Sequence, residues 1–108
     1  MAIPILLFGP TTADTTAETV FTNITGTVAV LETLTMANPS TGAATNIILA
    51  LGTDGATTRV IIYPLPAGPC THVVYPGIRV TSTTILQLRS SSTDDVAVCT
   101  GNGYREVV

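Results

Sequence analysis

Lysine and tryptophan are absent from this chain, histidine occurs once, and charged residues make up only 10% of it, against about 25% in an ordinary soluble domain. The four basic residues are all arginine (Arg59, Arg79, Arg89 and Arg105), and the seven carboxylates leave a formal net charge of -3. A protein so poor in cations has few groups with which to neutralise a phosphate backbone, so no nucleic-acid partner is expected. Charge-driven disorder is excluded as well. It needs low hydrophobicity, whereas 45% of these residues are hydrophobic and the mean hydropathy is +0.50.

Long hydrophobic runs are also missing. The apolar opening from Ala2 to Phe8 is broken by Pro4 and falls far short of the ~20 residues that a membrane-spanning helix needs. It has no basic leader and no long apolar stretch ending in a small-residue cleavage site, so it does not read as a secretory signal. The expectation is a chain that begins where translation begins, with no membrane partner. Asn23-Ile24-Thr25 fits a glycosylation acceptor, but such triplets arise by chance and nothing else indicates export.

The groups that carry chemistry are sparse and scattered. Cys70 and Cys99 lie 29 positions apart without a CxxC spacing, which fits two buried thiols or a disulfide between neighbouring strands. His72 has no Cys, His or carboxylate at ligand spacing, and Cys70, two residues away, would share its strand face without confronting it. A surface or rim histidine is the simpler assignment. Asp94-Asp95 sits in the Ser-rich stretch from Ser90 to Asp95, where turn chemistry accounts for it and the spaced acidic ligands of a calcium loop are missing. Gly101-Asn102-Gly103-Tyr104 has neither the third glycine nor the following helix of a dinucleotide fingerprint, and it reads as a hairpin turn. The five aromatics are spread over separate segments. No catalytic residue, cofactor or metal is therefore expected, and the chain is not expected to be an enzyme.

What the sequence does have is threonine, 21 residues of it, together with frequent valine and isoleucine. These β-branched residues disfavour helix and suit a pleated surface. Gly, Pro, Asn and Asp clusters punctuate the chain every ~8 to 12 residues, the mark of a sandwich or barrel. Strands are expected at about 3–8, 18–23, 27–37, 45–51, 58–63, 71–75, 79–89, 95–100 and 103–108. With 108 residues there is room for one core, so residues 1–108 form one all-β, antiparallel sandwich of about 8 to 9 strands, jelly-roll or Ig-like. Residues 1–17 serve as an N-terminal arm or an edge strand.

Within the third strand, Val28 and Val30 alternate in phase with Leu34 and Met36, while Thr27, Ala29, Thr33 and Thr35 point the other way. Glu32 falls in the apolar phase, so a bulge near Leu31 is expected to hand the core position to Leu31. Ile47 to Leu51 and Val60 to Tyr63 are apolar on both faces, which suits central strands covered on two sides. A two-layer sandwich has one inner face per sheet, so the second cover has to come from the N-terminal segment or another subunit. Lysine, a common guard of sheet edges, is missing, and Pro and Thr remain in that role.

Several segments together resemble small structural proteins encoded in tailed-bacteriophage genomes. They are the opening from Met1 to Pro10, the Thr/Ala-rich connection into Glu18 to Thr22, Thr27 to Leu31 and Leu34 to Asn38 before a Ser/Thr/Ala/Gly-rich hairpin at 39–45, then Asn46 to Leu51. The likeness continues through Tyr75-Pro76-Gly77-Ile78, Ile85 to Arg89, Val96 to Val98 and the closing Glu106-Val107-Val108, and it covers nearly the whole chain. Cys70, Cys99 and the prolines of Tyr63-Pro64-Leu65-Pro66 depart from that pattern. The resemblance implies a non-enzymatic virion component assembled in the host cytoplasm. In first place stands a capsid decoration or minor capsid protein that binds the major capsid protein or another shell protein. A tail, collar or baseplate decoration protein comes second, and a carbohydrate- or receptor-binding module is the alternative of a different class. It also implies a homo-oligomer on a local symmetry axis, a trimer first and a monomer next. The expected assembly contacts are Ile3, Ile5, Leu6, Leu7 and Phe8, large apolar side chains at a chain end that an unattached terminus would leave in water.

Overall fold

Alternating, β-branched sequence becomes nine strands among the described residues: β1 (Ala2–Thr12), β2 (Glu18–Thr22), β3 (Thr27–Asn38), β4 (Thr45–Thr53), β5 (Ala56–Leu65), β6 (Cys70–Val74), β7 (Ile78–Val80), β8 (Ile85–Ser90) and β9 (Val98–Val107). The computed structural model describes residues 2–39, 42–53, 56–81, 84–91 and 97–107. One sheet runs β1-β9-β3-β6, with β7 pairing on β3, and the other runs β2-β8-β4-β5. All pairings are antiparallel, and they nest from the outside inward: β1 with β9, β2 with β8, β3 with β6 and β7, β4 with β5. The chain is thus one long ribbon folded between β4 and β5 and wound into two stacked sheets, which is the jelly-roll arrangement. In it β6 and β7 share one strand position, holding opposite ends of β3 at Leu34 to Asn38 and at Ala29 to Leu31. The protein is an all-β, single-domain antiparallel sandwich.

The count of nine agrees with the sequence expectation through two opposite corrections. The expected strand at 79–89 is divided: β7 belongs to the first sheet and β8 to the second, and the chain turns between them with the Thr84 amide donating to the Thr81 carbonyl at 3.1 Å. Conversely, Gly101-Asn102-Gly103 is not a hairpin turn. It lies inside the continuous strand β9, between β1 and β3. A Cβ on Gly103 would collide with the Val30 carbonyl oxygen, and one on Gly101 with the Phe8 ring. These glycines serve close approach rather than reversal. The stretch 39–45 is not a hairpin either, because β3 and β4 lie in different sheets. Nor does Gly9-Pro10 end the first strand: β1 runs on to Thr12 through irregularities at Leu6/Phe8 and Phe8/Thr11, with Gly9 at φ 95° against the Cys99 carbonyl.

The bulge in β3 is where the sequence places it. Leu31 pairs with Gly103 and Thr33 with Asn102, leaving Glu32 as the extra residue. Leu31 is buried and Glu32 exposed, which keeps an ionised carboxylate in water. The bulge also reverses the side-chain phase. Ahead of it Ala29 and Leu31 face the core, behind it Leu34 and Met36 do, and Val28 and Val30 fall on the opposite face from Leu34, contrary to the simple alternation. The core joins these residues to Phe8, Phe21, Ile47, Leu49, Leu65, Ile78, Val80, Leu86, Leu88 and Cys99. In β8, Leu86 and Leu88 point inward and Ile85 lies out of phase with them.

β4 is central, as its two apolar faces suggest, but β5 is an edge strand. Ile61 and Tyr63 pack on the core, and Ile62 on the outer side is 56% exposed. Polar ties hold the corners. Asn23 Nδ2 donates to the carbonyls of Thr27 (2.8 Å) and Val80 (2.9 Å), and the Asn38 amide donates to those of Ala43 and Pro66 (both 2.9 Å). The Thr45 and Ser90 hydroxyls share a buried hydrogen bond of 2.6 Å.

Candidate assembly surfaces

Among the described residues the groups that could carry chemistry do not converge. His72 is exposed on the edge strand β6, opposite Met36 of β3. Cys70 precedes it by two on the same strand and donates its thiol hydrogen to the Pro66 carbonyl at 3.4 Å. Cys70 lies opposite Asn38 and Cys99 opposite Met36, on the two sides of β3. That places them two strand spacings apart, about 10 Å, beyond the reach of a disulfide. Both thiols are free. Cys99 is buried and Cys70 half-buried, so the expectation of two buried thiols holds for Cys99 alone. Burial pushes the Cys99 thiol up to about 12, because the interior disfavours the thiolate. Among the described residues no three His, Cys, Asp or Glu side chains gather around a common point. Asp54, Asp94 and Asp95 lie outside the described residues, and the calcium question with them.

Two further features have structural explanations. Asn23, the first residue of the apparent glycosylation triplet, is buried with its amide committed to the backbone. Arg105 occupies an inward position of β9, opposite Ala29 and Ile3, with its guanidinium 5.9 Å from the centre of the Phe21 ring and its Nε without a partner. An open groove of about 420 Å³ lies beside Ala37, Pro39, Pro69, Cys70, Thr71 and Val98. Its walls are largely apolar, and among the described residues no carboxylate, histidine or arginine lines it.

The exposed apolar side chains are more informative. The sheets end at β1 and at β6 with β7, and at β2 and β5. On β1 the five residues singled out by sequence divide. Leu7 and Phe8 are buried in the protein's own core and Ile5 packs against it, while Ile3 and Leu6 stand 53% and 56% exposed. β1 is thus tied down by its inward residues and offers Leu6 outward, beside Asn102 of β9. Pro4 removes one backbone donor from this strand, as proline on an edge does.

The opposite side of the sandwich carries apolar exposure that the sequence reading did not single out. Ile62 of β5 and Val73 of β6 are exposed, and Tyr75, 77% exposed, follows β6 directly. The available signal is the run Val60 to Tyr63 itself, whose two apolar faces predict a covered strand and which lies at a sheet edge. Comparisons with protein-family models, with curated proteins and with solved structures found no match.

Proposed function

We propose that this chain is a non-enzymatic structural protein of a tailed-bacteriophage virion, a decoration or minor capsid component that docks on the major shell protein and self-associates through its sheet edges. The observation that carries the assembly role is Leu6, more than half exposed on the outer face of an edge strand that Leu7 and Phe8 anchor in the core, with Ile3 equally exposed near the end of its other face. A large apolar side chain held outward by a fixed strand gains roughly 1.5 to 3 kcal/mol on full burial, and many copies on a repeating shell multiply modest contacts into firm attachment. Two further features support the virion setting. One is the resemblance in strands and turns along nearly the whole chain. The other is a surface without lysine and with a net charge of -3, which avoids adhering to packaged DNA. Fold alone carries little weight here, since jelly rolls serve many functions.

The receptor-binding alternative wants a cluster of aromatics at one end of the sandwich. Phe8 and Phe21 are buried, Tyr63 and Tyr104 are half-buried, and Tyr75 alone is exposed.

The test is binding of the purified protein to shells assembled without it, with copies per particle counted by mass spectrometry. Wild-type protein is expected to bind in numbers that scale with the shell subunits, and Leu6→Asp to lose binding tenfold or more. A handful of copies per particle moves the site to a tail or collar, and no binding of the wild type overturns the proposal. Deleting β1 is not a usable test, because it would also remove Leu7 and Phe8 from the core.

A further inference from the structure

We infer that the end of the sandwich where β1 begins and β9 ends is a docking site for an extended apolar segment of a partner protein that carries a carboxylate, with Arg105 receiving the acid. The inference deepens the assembly reading of this chain and does not depend on the partner being a shell protein.

The core is left unfinished at this end. Along β1 the inward residues Ile3, Ile5 and Phe8 lie opposite Arg105, Gly103 and Gly101 of β9. Phe8 is buried and Ile5 packs on the core, but Ile3 is 53% exposed. On β9 the last inward residue, Val107, pairs with Thr27 and is 75% exposed. In the other sheet β2 stops at Thr22, one residue past Phe21, and among the described residues nothing covers these two side chains. The chain crosses to β3 through a turn whose Ile24 carbonyl accepts from the Thr27 amide at 3.2 Å. Asn23 ties that turn to the Thr27 and Val80 carbonyls, which closes the β3 and β7 side, while Ile24 itself stands 55% exposed. Ile3, Ile24 and Val107 thus rim one opening.

Arg105 stands in that opening without an acid. It is half-buried in the row between Ile3 and Ala29, its guanidinium 5.9 Å from the centre of the Phe21 ring and its Nε without a partner. The described carboxylates point elsewhere or lie far off. Glu106 is the next residue of β9 and so takes the outer face, and Glu32 is at the β3 bulge. Asp14, whose carbonyl accepts from Ser90, and Glu18, opposite Leu88, lie toward the other end of the sandwich. Asp54, Asp94 and Asp95 are outside the described residues.

These surroundings define the ligand. A cation half enclosed by apolar groups is costly without a counter-charge, and the Phe21 ring offsets only part of that cost. A carboxylate supplies what is missing, as a charge-assisted pair with a guanidinium. The residues on either side of the acid have to be apolar, to cover Ile3, Ile24 and Val107 and to shield the pair from water. A basic segment is repelled, and an apolar one without an acid leaves the arginine desolvated and unpaired.

Two peptides test this with the intact protein: acetylated and amidated Val-Leu-Glu-Leu-Val, and its twin with Gln in place of Glu. Backbone amide NMR shifts report where each binds and how tightly. The acidic peptide is expected to shift residues around 3, 24, 105 and 107, and the twin to bind tenfold more weakly or worse. Arg105→Gln is expected to abolish the difference between the two peptides, and Arg105→Lys to restore part of it. Ile24→Asp, in an exposed turn, is expected to keep the thermal melt of the wild type and to lose the acidic peptide tenfold or more, so the test stands even where a change at Arg105 disturbs folding. Equal binding of the two peptides, shifts confined to another surface, or no binding at millimolar concentration overturns the inference. A protein that takes the acidic peptide but binds no shell overturns the proposed virion role and leaves this one standing.

Discussion

Two of the interior strands, β4 and β9, fill the same core by opposite means. β4 turns Ile47, Leu49 and Leu51 inward and supplies volume. β9 presents Cys99, Gly101, Gly103 and Arg105 at the corresponding inward positions and supplies room. Over Gly101 lies the Phe8 ring, and against Gly103 lies the Val30 carbonyl at the β3 bulge. A strand's part in a close-packed core is therefore not measured by its own hydrophobicity. Where neighbouring elements bring the bulk, the strand between them has to be thin.

The contrast breaks most sharply at Gly103. Gly103→Val forces side-chain atoms onto backbone that cannot retreat without undoing the bulge, and a loss of about 4 kcal/mol or more is expected, read as insoluble protein or a greatly lowered urea midpoint. In β4 the opposite change is damaging: Leu49→Ala empties a fully buried site and is expected to cost about 2–5 kcal/mol by equilibrium unfolding. Gly101→Ala is expected to cost less, roughly 1–3 kcal/mol, since the group in its way is an aromatic side chain rather than main chain. A near-neutral Gly101→Ala and Gly103→Ala pair would refute the account of β9 as a spacer.

Cys99 sharpens the same comparison through pH. Folding raises its pKa from 9.0 to about 12, so the folded protein holds this proton more tightly than the unfolded chain. The corresponding stability is fully present below pH 9 and is lost between pH 9 and 12, at about 1.4 kcal/mol per pH unit. Urea unfolding at successive pH values is expected to show that slope in the wild type beyond the slope in Cys99→Ala, which also corrects for tyrosine titration. Smallest in stability is Leu6→Asp, expected within about 0.5 kcal/mol of wild type. Its effect belongs to association, and a large loss of stability there would mean that Leu6 supports the fold.

Much of this structure was legible locally. Threonine and the β-branched residues read as strand, the carboxylate at Glu32 announced the bulge that hands the core to Leu31, and the inward phase of Leu86 and Leu88 is visible in their alternation. Each of these depends on a residue's own chemistry or on neighbours two positions away. The errors share another origin. Gly-Asn-Gly is a turn signal when nothing lies beside it, and only the approach of β1 and β3 makes it a spacer. Thr81 to Thr84 carries neither Gly nor Pro, so the reversal between β7 and β8 left no local mark. Val28 and Val30 lie on the face opposite to the one their spacing from Leu34 predicts, because a bulge shifts every residue on one side of it relative to the other. The apolar run at the start of β1 reads as a contact segment, but its division into anchoring Leu7 and Phe8, outward Leu6, and Ile3 left exposed at the end of the inner face depends on the path taken past Gly101.

The sequence by itself determined that this chain is all-β, that it has one core, and which of its residues can occupy that core, because period, branching and charge act over a few residues. Which strands pair, which become edges, and where the exposed apolar and charged side chains meet were decided only by the tertiary structure. In a jelly roll the first strand lies against the last, and pairing over that separation is set by packing of the whole chain rather than by any segment of it.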